Sequence, residues 1–212
     1  MRSGKPAFPN RPIAVSVALE AMAEINQDTH TGASFSLQNR LARLVWGVVY
    51  LLLFRFSPAP LHAWRALLLK AFGASLGAGV HVYPGVKIWA PWNLDLRDEC
   101  GIGNGAILYS QGRITIGKRA VVSQGAHLCT GTHDHTLRGF PLYTKPIEIG
   151  DEAWVAAEAF VHPGVVIGEG CVIGARSVVT KSMPPWTICA GFPCQPLGPR
   201  ELKDAPAPAA LS

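Results

Sequence analysis

The sequence predicts an all-β fold, a triangular parallel coil of about five turns preceded by two short apolar helices. Three observations carry that expectation. An aliphatic residue recurs at every sixth position, a small residue follows four positions later, and the 212 residues include 22 Gly and 17 Pro, so turns must be frequent. The chain divides into a polar opening (1–33), an apolar helical segment (34–75), the repeat (76–200) and a polar tail (201–212). With 49 % hydrophobic residues there is ample material for a core.

Residues 1–33 are polar and Pro-bearing, with one short helical pattern at AVSVALEAMAEI, and are expected to be mobile. The stretch SFSLQNRLARLVWGVVYLLLFRF then reads as a helix capped by Ser34 or Ser36. Its apolar run, Leu44 to Phe54, is eleven residues bounded by Arg43 and Arg55, short of the roughly 20 that a membrane span needs. A second helix is expected from Pro60 to Phe72, with Gly73 at its exit. Two readings of this basic, Trp-bearing pair stand side by side. It lies in a membrane interface with Trp46 and Trp64 near the headgroups, or it caps the open end of the coil or joins subunits.

Charge separates the two halves. Residues 1–75 hold eight basic and three acidic residues, whereas residues 76–212 hold eleven of each. A basic, apolar opening on a neutral body points to an anionic lipid surface rather than to nucleic acid.

From Leu76 onward the coil is legible residue by residue. Aliphatic residues stand at 76, 82 and 88, at 96, 102 and 108, at 116, 122 and 128, and at 149, 155, 161, 167, 173 and 179. Eighteen residues per turn means three short strands and three corners, with five coils starting at Leu76, Leu96, Ile116, Ile149 and Ile167. Four residues after each aliphatic come small residues such as Ala106, Ala126, Thr132, Ala153 and Cys171, as a tight interior requires, while Trp92, Gly112 and Met183 depart from that rule. Glycine follows the aliphatic residue at 77, 103, 117, 150, 168 and 174, where a corner needs positive φ or close backbone approach.

The five cysteines form no CxxC pair, and the opening MRSGKPAFPNRP lacks the apolar core of a signal peptide. Reduced thiols in a cytoplasmic protein are the expectation, with Cys100 and Cys171 as small core residues. The tail DAPAPAALS reads as disordered.

The chemistry must come from the one place where the rhythm fails. Fifteen residues, Asp134 to Glu148, are inserted after the third coil, and His133 stands where the chain leaves it. A histidine held by a scaffold beside a loop is placed to accept a proton near neutral pH.

The segments CTGTHDH, KPIEIGDEAWVAAEAFVHPGVVIGEGCVIGARSVVTKSMPPWTICAGFPCQPL and FGASLGAGVHVYPGVKIWAPWNLDL resemble the hexapeptide-repeat acyltransferases, in particular those of colanic-acid and related exopolysaccharide clusters, and through them the maltose and galactoside acetyltransferases. The likeness runs from about Phe35 to Arg200. It implies a left-handed β-helix, a homotrimer with intersubunit active sites, acetyl-coenzyme A as co-substrate with no metal, and O-acetyl transfer to a saccharide acceptor. It implies His133 as the general base of a direct transfer, with no acyl-enzyme and with the oxyanion held by a backbone N–H.

The same likeness assigns Trp154 to the neighbourhood of the active site, Ala157 and Ala175 to the pantetheine arm, Lys181 to a phosphate, and Gly191 and Pro193 of AGFPC to the adenine end. Where relatives place Arg after that turn, this chain has Gln195, leaving Arg176 or Arg200 as substitutes. Asp134 or a backbone carbonyl orients the imidazole; His135, Tyr109 and Ser110 are candidates for acceptor contacts. The substrate implied is an exopolysaccharide or lipid-linked saccharide precursor at the cytoplasmic membrane face, with residues 34–75 as a peripheral contact. Other acceptors (an amino sugar, a nucleotide sugar, a small alcohol or thiol), a non-catalytic scaffold and a γ-type carbonic anhydrase are the alternatives. For the last, His127, His133, His135 and His162 supply ligand types, but the H-x4-H spacing is absent.

Overall fold

In the computed structural model, residues 34–203 are described. The segment 1–33 with its expected short helix, and the tail from 204, lie outside the described residues. Helix α1 spans Leu37–Val49, capped by Ser36, whose hydroxyl accepts from the Asn39 N–H at 3.2 Å. It runs on through a π-helical turn, Tyr50–Phe54. Helix α2 spans His62–Ala71 and ends at Gly73, whose φ of +84° turns the chain into the coil.

The helices cap the first coil. Trp46, Phe54, Leu68 and Leu69 are buried in one core with Val80, Val82 and Ile88. Trp46, near the headgroups in one of the two readings, points inward as the capping reading requires and donates its indole N–H to the Ile88 carbonyl at 2.9 Å. Arg65 is wholly buried and clips the turn between the helices to the coil. Its guanidinium donates to the carbonyls of Val82, Pro58 and Ala59 and to the Ser57 hydroxyl. The opposite side of α1 and its π-helical continuation stays bare: Leu37, Leu41, Leu44, Val48, Leu51 and Leu52 form an exposed apolar stripe.

The repeat is a left-handed parallel β-helix of three faces. The first face stacks Ser75–Leu76, Leu94–Leu96, Ile114–Ile116, Ile147–Ile149 and Val166–Ile167. The second stacks His81–Val82, Gly101–Ile102, Val121–Val122, Trp154–Val155, Val172–Ile173 and Thr187–Gly191. The third stacks Lys87–Ile88, Ile107–Tyr109, His127–Cys129, Phe160–Val161 and Val178–Val179. Each aliphatic pairs in register with its counterpart one coil away, for example Ile102 with Val122 and Ile149 with Ile167, so all of them point inward.

Five full coils are followed by part of a sixth. Met183 bridges to Ile167 and Cys189 pairs with Ile173, so the rhythm resumes at Met183 after a corner two residues short. The terminal strand Cys194–Pro199 then folds back antiparallel and covers the second face's end.

In the first three coils the small inward place after the third strand is taken by the fully buried Ala90, Ser110 and Thr130, two residues before Trp92 and Gly112, which depart from the spacing, and before Thr132, the expected occupant. The corner from the third to the first face is wider there. Its inward hydroxyls are satisfied across coils: the Ser110 Oγ accepts from the Ala90 N–H at 3.0 Å and donates to the Ala90 carbonyl at 2.9 Å. The Thr130 Oγ1 likewise accepts from the Gly112 N–H and donates to the Tyr109 carbonyl, each at 2.8 Å.

Corner glycines answer to close approach. A Cβ on Gly150 would lie 2.5 Å from the Glu169 nitrogen. Positive φ falls two residues later, and there Glu99, Arg119, Glu152, Glu158 and Arg176 adopt it as well as glycine.

Candidate functional site

The insertion after the third coil is a β-hairpin. Gly131–His133 pairs antiparallel with Leu142–Thr144, and the chain rejoins the first face at Ile147, beside Ile114. His133 ends the outgoing strand, so the ladder fixes its backbone while its side chain stays exposed. The His133 Nδ1 lies 2.6 Å from the Phe140 carbonyl oxygen. A carbonyl only accepts, so Nδ1 carries the proton and Nε2 of the neutral ring keeps its lone pair.

Of the two orienting partners left open by the sequence, the carbonyl is the one in contact with the imidazole. The Asp134 carboxylate turns to its own loop, accepting from the Thr136 N–H at 2.9 Å and the Thr136 hydroxyl at 2.6 Å. Those two bonds hold its carboxyl below the ordinary range.

His133 opens on a cavity of about 500 Å3 shared with Tyr109 and Gln111 of the second coil and with Phe35, Arg40 and Arg43 at the start of the helical segment. The Tyr109 hydroxyl accepts from the Gln111 amide at 3.0 Å, which leaves its own proton to donate. The Gln111 Oε1 is buried and has no hydrogen-bond partner among the described residues. Ser110, expected at the acceptor, faces the interior and is spent on Ala90. His135 is exposed in the hairpin and does not line the cavity.

Sequence reasoning missed Phe35, Arg40 and Arg43. Their signal was two arginines three residues apart in a segment, 34–75, that has no acidic residue.

The residues assigned to a cofactor fall on two edges of the prism. Ala157 and Ala175 stack in successive coils at the corner between the second and third faces, where the Arg176 N–H donates to the Ala157 carbonyl at 2.9 Å. Gly191 continues that edge, its N–H donating to the Ser177 hydroxyl at 3.1 Å. Trp154 belongs to the second face, is 47 % exposed, and reaches the same edge through a 2.8 Å bond from its indole N–H to the Ser123 hydroxyl. Pro193 is exposed in the turn of the terminal hairpin. Lys181, in contrast, is exposed at the corner from the third to the first face, the edge from which the His133 hairpin departs.

The two candidates to replace a basic residue at Gln195 also separate. Arg200 is used as a clip, donating to the carbonyls of Glu152 at 2.9 Å and Gly170 at 2.8 Å. Arg176 stands on the Ala157 and Ala175 edge, ion-paired with Glu158 at 2.6 Å. Among the described residues no three His, Cys, Asp or Glu side chains gather as a metal site. His127 is packed between Tyr109 and Phe160 instead, and burial pulls its imidazole below the ordinary value.

The family model described as bacterial transferase hexapeptide (six repeats) matches residues 146–181. A protein of Escherichia coli K12 named as a colanic acid biosynthesis acetyltransferase is 46 % identical over 155 residues, which cover 73 % of this chain and 85 % of that one. Among solved structures, a galactoside acetyltransferase in complex with coenzyme A superposes with a TM-score of 0.73 at 27 % identity, covering 80 % of this chain and 86 % of that one. A maltose O-acetyltransferase from Clostridium difficile 630 superposes with a TM-score of 0.72 at 26 % identity, covering 79 % and 90 %.

Proposed function

Because the chain belongs to the hexapeptide-repeat family of bacterial transferases and is an acyltransferase, we propose that it transfers acetyl from acetyl-coenzyme A directly to a saccharide hydroxyl, with His133 as general base. The observation that carries this reading is the 2.6 Å contact between the His133 Nδ1 and the Phe140 carbonyl, which leaves Nε2 as a proton acceptor at the cavity wall. In the step proposed, Nε2 takes the hydroxyl proton as that oxygen forms a bond to the thioester carbonyl carbon. The C–S bond breaks, and the imidazolium returns the proton to the departing thiolate. A hydroxyl activated this way requires no nucleophile from the chain.

The co-substrate supplies the acetyl thioester. The edge formed by Ala157, Ala175 and Gly191 suits its arm, because small side chains there leave the backbone open. Room is tight behind it: a Cβ on Gly174 would lie 2.8 Å from the Ala190 Cβ. Trp154 flanks this edge, Pro193 borders its end, and Arg176 and Lys181 are the cations available to phosphates. A homotrimer with sites between chains would join this edge of one protomer to the His133 edge of its partner, which a single prism keeps apart.

The acceptor proposed is an exopolysaccharide precursor carried on lipid at the cytoplasmic membrane face. No helix of the described residues is long and apolar enough to cross a membrane. The bare stripe on α1 and its π-helical continuation, with Leu52 at 71 % exposure, and the exposed Arg40, Arg55 and Lys70 in a segment with no acidic residue fit peripheral contact with an anionic bilayer. Vesicle flotation tests that part: recovery with the bottom fraction in the presence of anionic vesicles would defeat it.

Initial-rate kinetics test the direct transfer. Varying acetyl-coenzyme A against acceptor should give intersecting reciprocal plots, as a ternary complex requires. Parallel plots, with an acetylated protein isolable in the absence of acceptor, would replace this route by a covalent one.

A further inference from the structure

The wall of the His133 cavity contributed by the helical segment is cationic, and nothing in the transfer of acetyl to a neutral sugar calls for that charge. Arg40 and Arg43 both line the cavity, and among the described residues neither meets a carboxylate. Arg43 is held in a defined pose. Its guanidinium carbon lies 4.3 Å from the Trp89 ring centre and 5.4 Å from that of Phe35, and its Nε donates to the Asn39 side-chain oxygen at 3.0 Å. The two rings are themselves in contact, with centroids 4.8 Å apart. Stacking of this kind fixes a guanidinium by its face and leaves its edge, here the two Nη groups, free to donate in a fork. Arg40 is exposed one helical turn earlier, on the same face of α1.

Together these residues divide the cavity. One side carries the base, the Tyr109 hydroxyl and the Gln111 amide, the neutral donors and acceptors that suit a sugar ring. The other carries two arginines with no acidic residue among the cavity's lining. We infer that Arg40 and Arg43 form an anion subsite, so that the acceptor is an acidic saccharide carrying a carboxylate or phosphate group beside the hydroxyl that His133 deprotonates. The inference rests on the acetyl-transfer reading for the role of His133, but the subsite itself is a binding property and can be tested apart from turnover. Forked donors suit the oxygens of either anion, and the two sources differ only in the part of the acceptor that bears the charge.

The experiment compares matched acceptor pairs: a hexuronide against its methyl ester, and a sugar 1-phosphate against its methyl glycoside. Thiol release is followed for the wild-type protein, Arg40→Gln and Arg43→Gln. At least one pair should favour the anion about tenfold or more in kcat/KM, mostly through KM, and the ratio should collapse toward one in both variants. The pair that shows the preference identifies carboxylate or phosphate. Equal use of anionic and neutral acceptors by the wild type, or a preference that survives both substitutions, overturns the inference while leaving acetyl transfer intact. If no acceptor supports thiol release, calorimetric binding of the same pairs decides. Tighter binding of the anion that is lost in Arg40→Gln sustains the subsite, whereas equal binding overturns it.

Discussion

Replacing Arg65 by Met should markedly destabilise the helical cap. The side chain is fully buried, and its guanidinium donates at 2.6 Å to the Val82 carbonyl and at 2.8 Å to both the Ser57 hydroxyl and the Pro58 carbonyl, with Ala59 as a fourth acceptor. Bonds from a charged donor are worth about 1.5–3 kcal/mol each when only one partner is removed. Ala59 and Pro58 are exposed residues whose carbonyls can recover water, whereas the wholly buried Val82 is left with the His62 Nδ1, 3.0 Å from its carbonyl oxygen, as its remaining side-chain partner. Removing the cation also relieves its own desolvation. The balance is a loss of about 3–5 kcal/mol, or roughly 10 °C in the thermal midpoint of a domain this size. Calorimetry on the wild type, Arg65→Met and Arg65→Lys checks it, with Lys intermediate because it keeps charge but not the fork. An Arg65→Met protein that melts with the wild type would refute the claim that this residue ties the cap to the coil.

Three further outcomes follow from the coil. Gly150→Ala should destabilise by about 1–3 kcal/mol, since the added methyl would press on backbone at 2.5 Å that cannot rotate away; urea titration reads it. Burial holds the His127 imidazole below 6.5, so the unfolded chain takes up its proton first as pH falls. The contribution is present above about pH 6.5 and is lost as pH falls through the lower folded value. His127→Phe, measured by denaturation at about pH 7 and about pH 5, should therefore lose less stability across that interval than the wild type. Burial also raises the Cys100 thiol to about 12 and raises Cys171, so mass spectrometry after brief alkylation of the native protein should find both unmodified.

Much of the coil was legible because the inward strand positions obey one rule: residues such as Ile102, Val122 and Ile173 are aliphatic at a fixed spacing, and a small or charged residue there would leave a hole or a buried charge. The wide corner was less legible. Its inward places are taken by Ala90, Ser110 and Thr130, and two of these are polar, acceptable only because their hydroxyls bond to backbone one coil away. No local pattern reveals that partnership. Trp46 stayed open between two readings for a related reason, since an indole beside leucines reads alike at a membrane and in a core until its N–H partner, the Ile88 carbonyl, is known.

At the candidate site, His133 was legible as the residue where the rhythm breaks, and the chain's return from Leu142 was not, because a two-strand hairpin of three residues each carries little periodicity. Arg40 and Arg43 escaped notice for want of a link in sequence to a cavity some seventy to ninety positions away; only the cap's seating on the first coil brings them to Tyr109 and His133.

The most direct measurement is acceptor-dependent thiol release from acetyl-coenzyme A by the wild type and His133→Ala at equal folded concentration, with melting curves recorded for both. Removal of a positioned general base should lower kcat by about a hundredfold or more while the melting curve stays in place. Turnover retained in a normally folded His133→Ala protein would contradict the account, because the lone pair freed by the Phe140 carbonyl would then have no part in the chemistry.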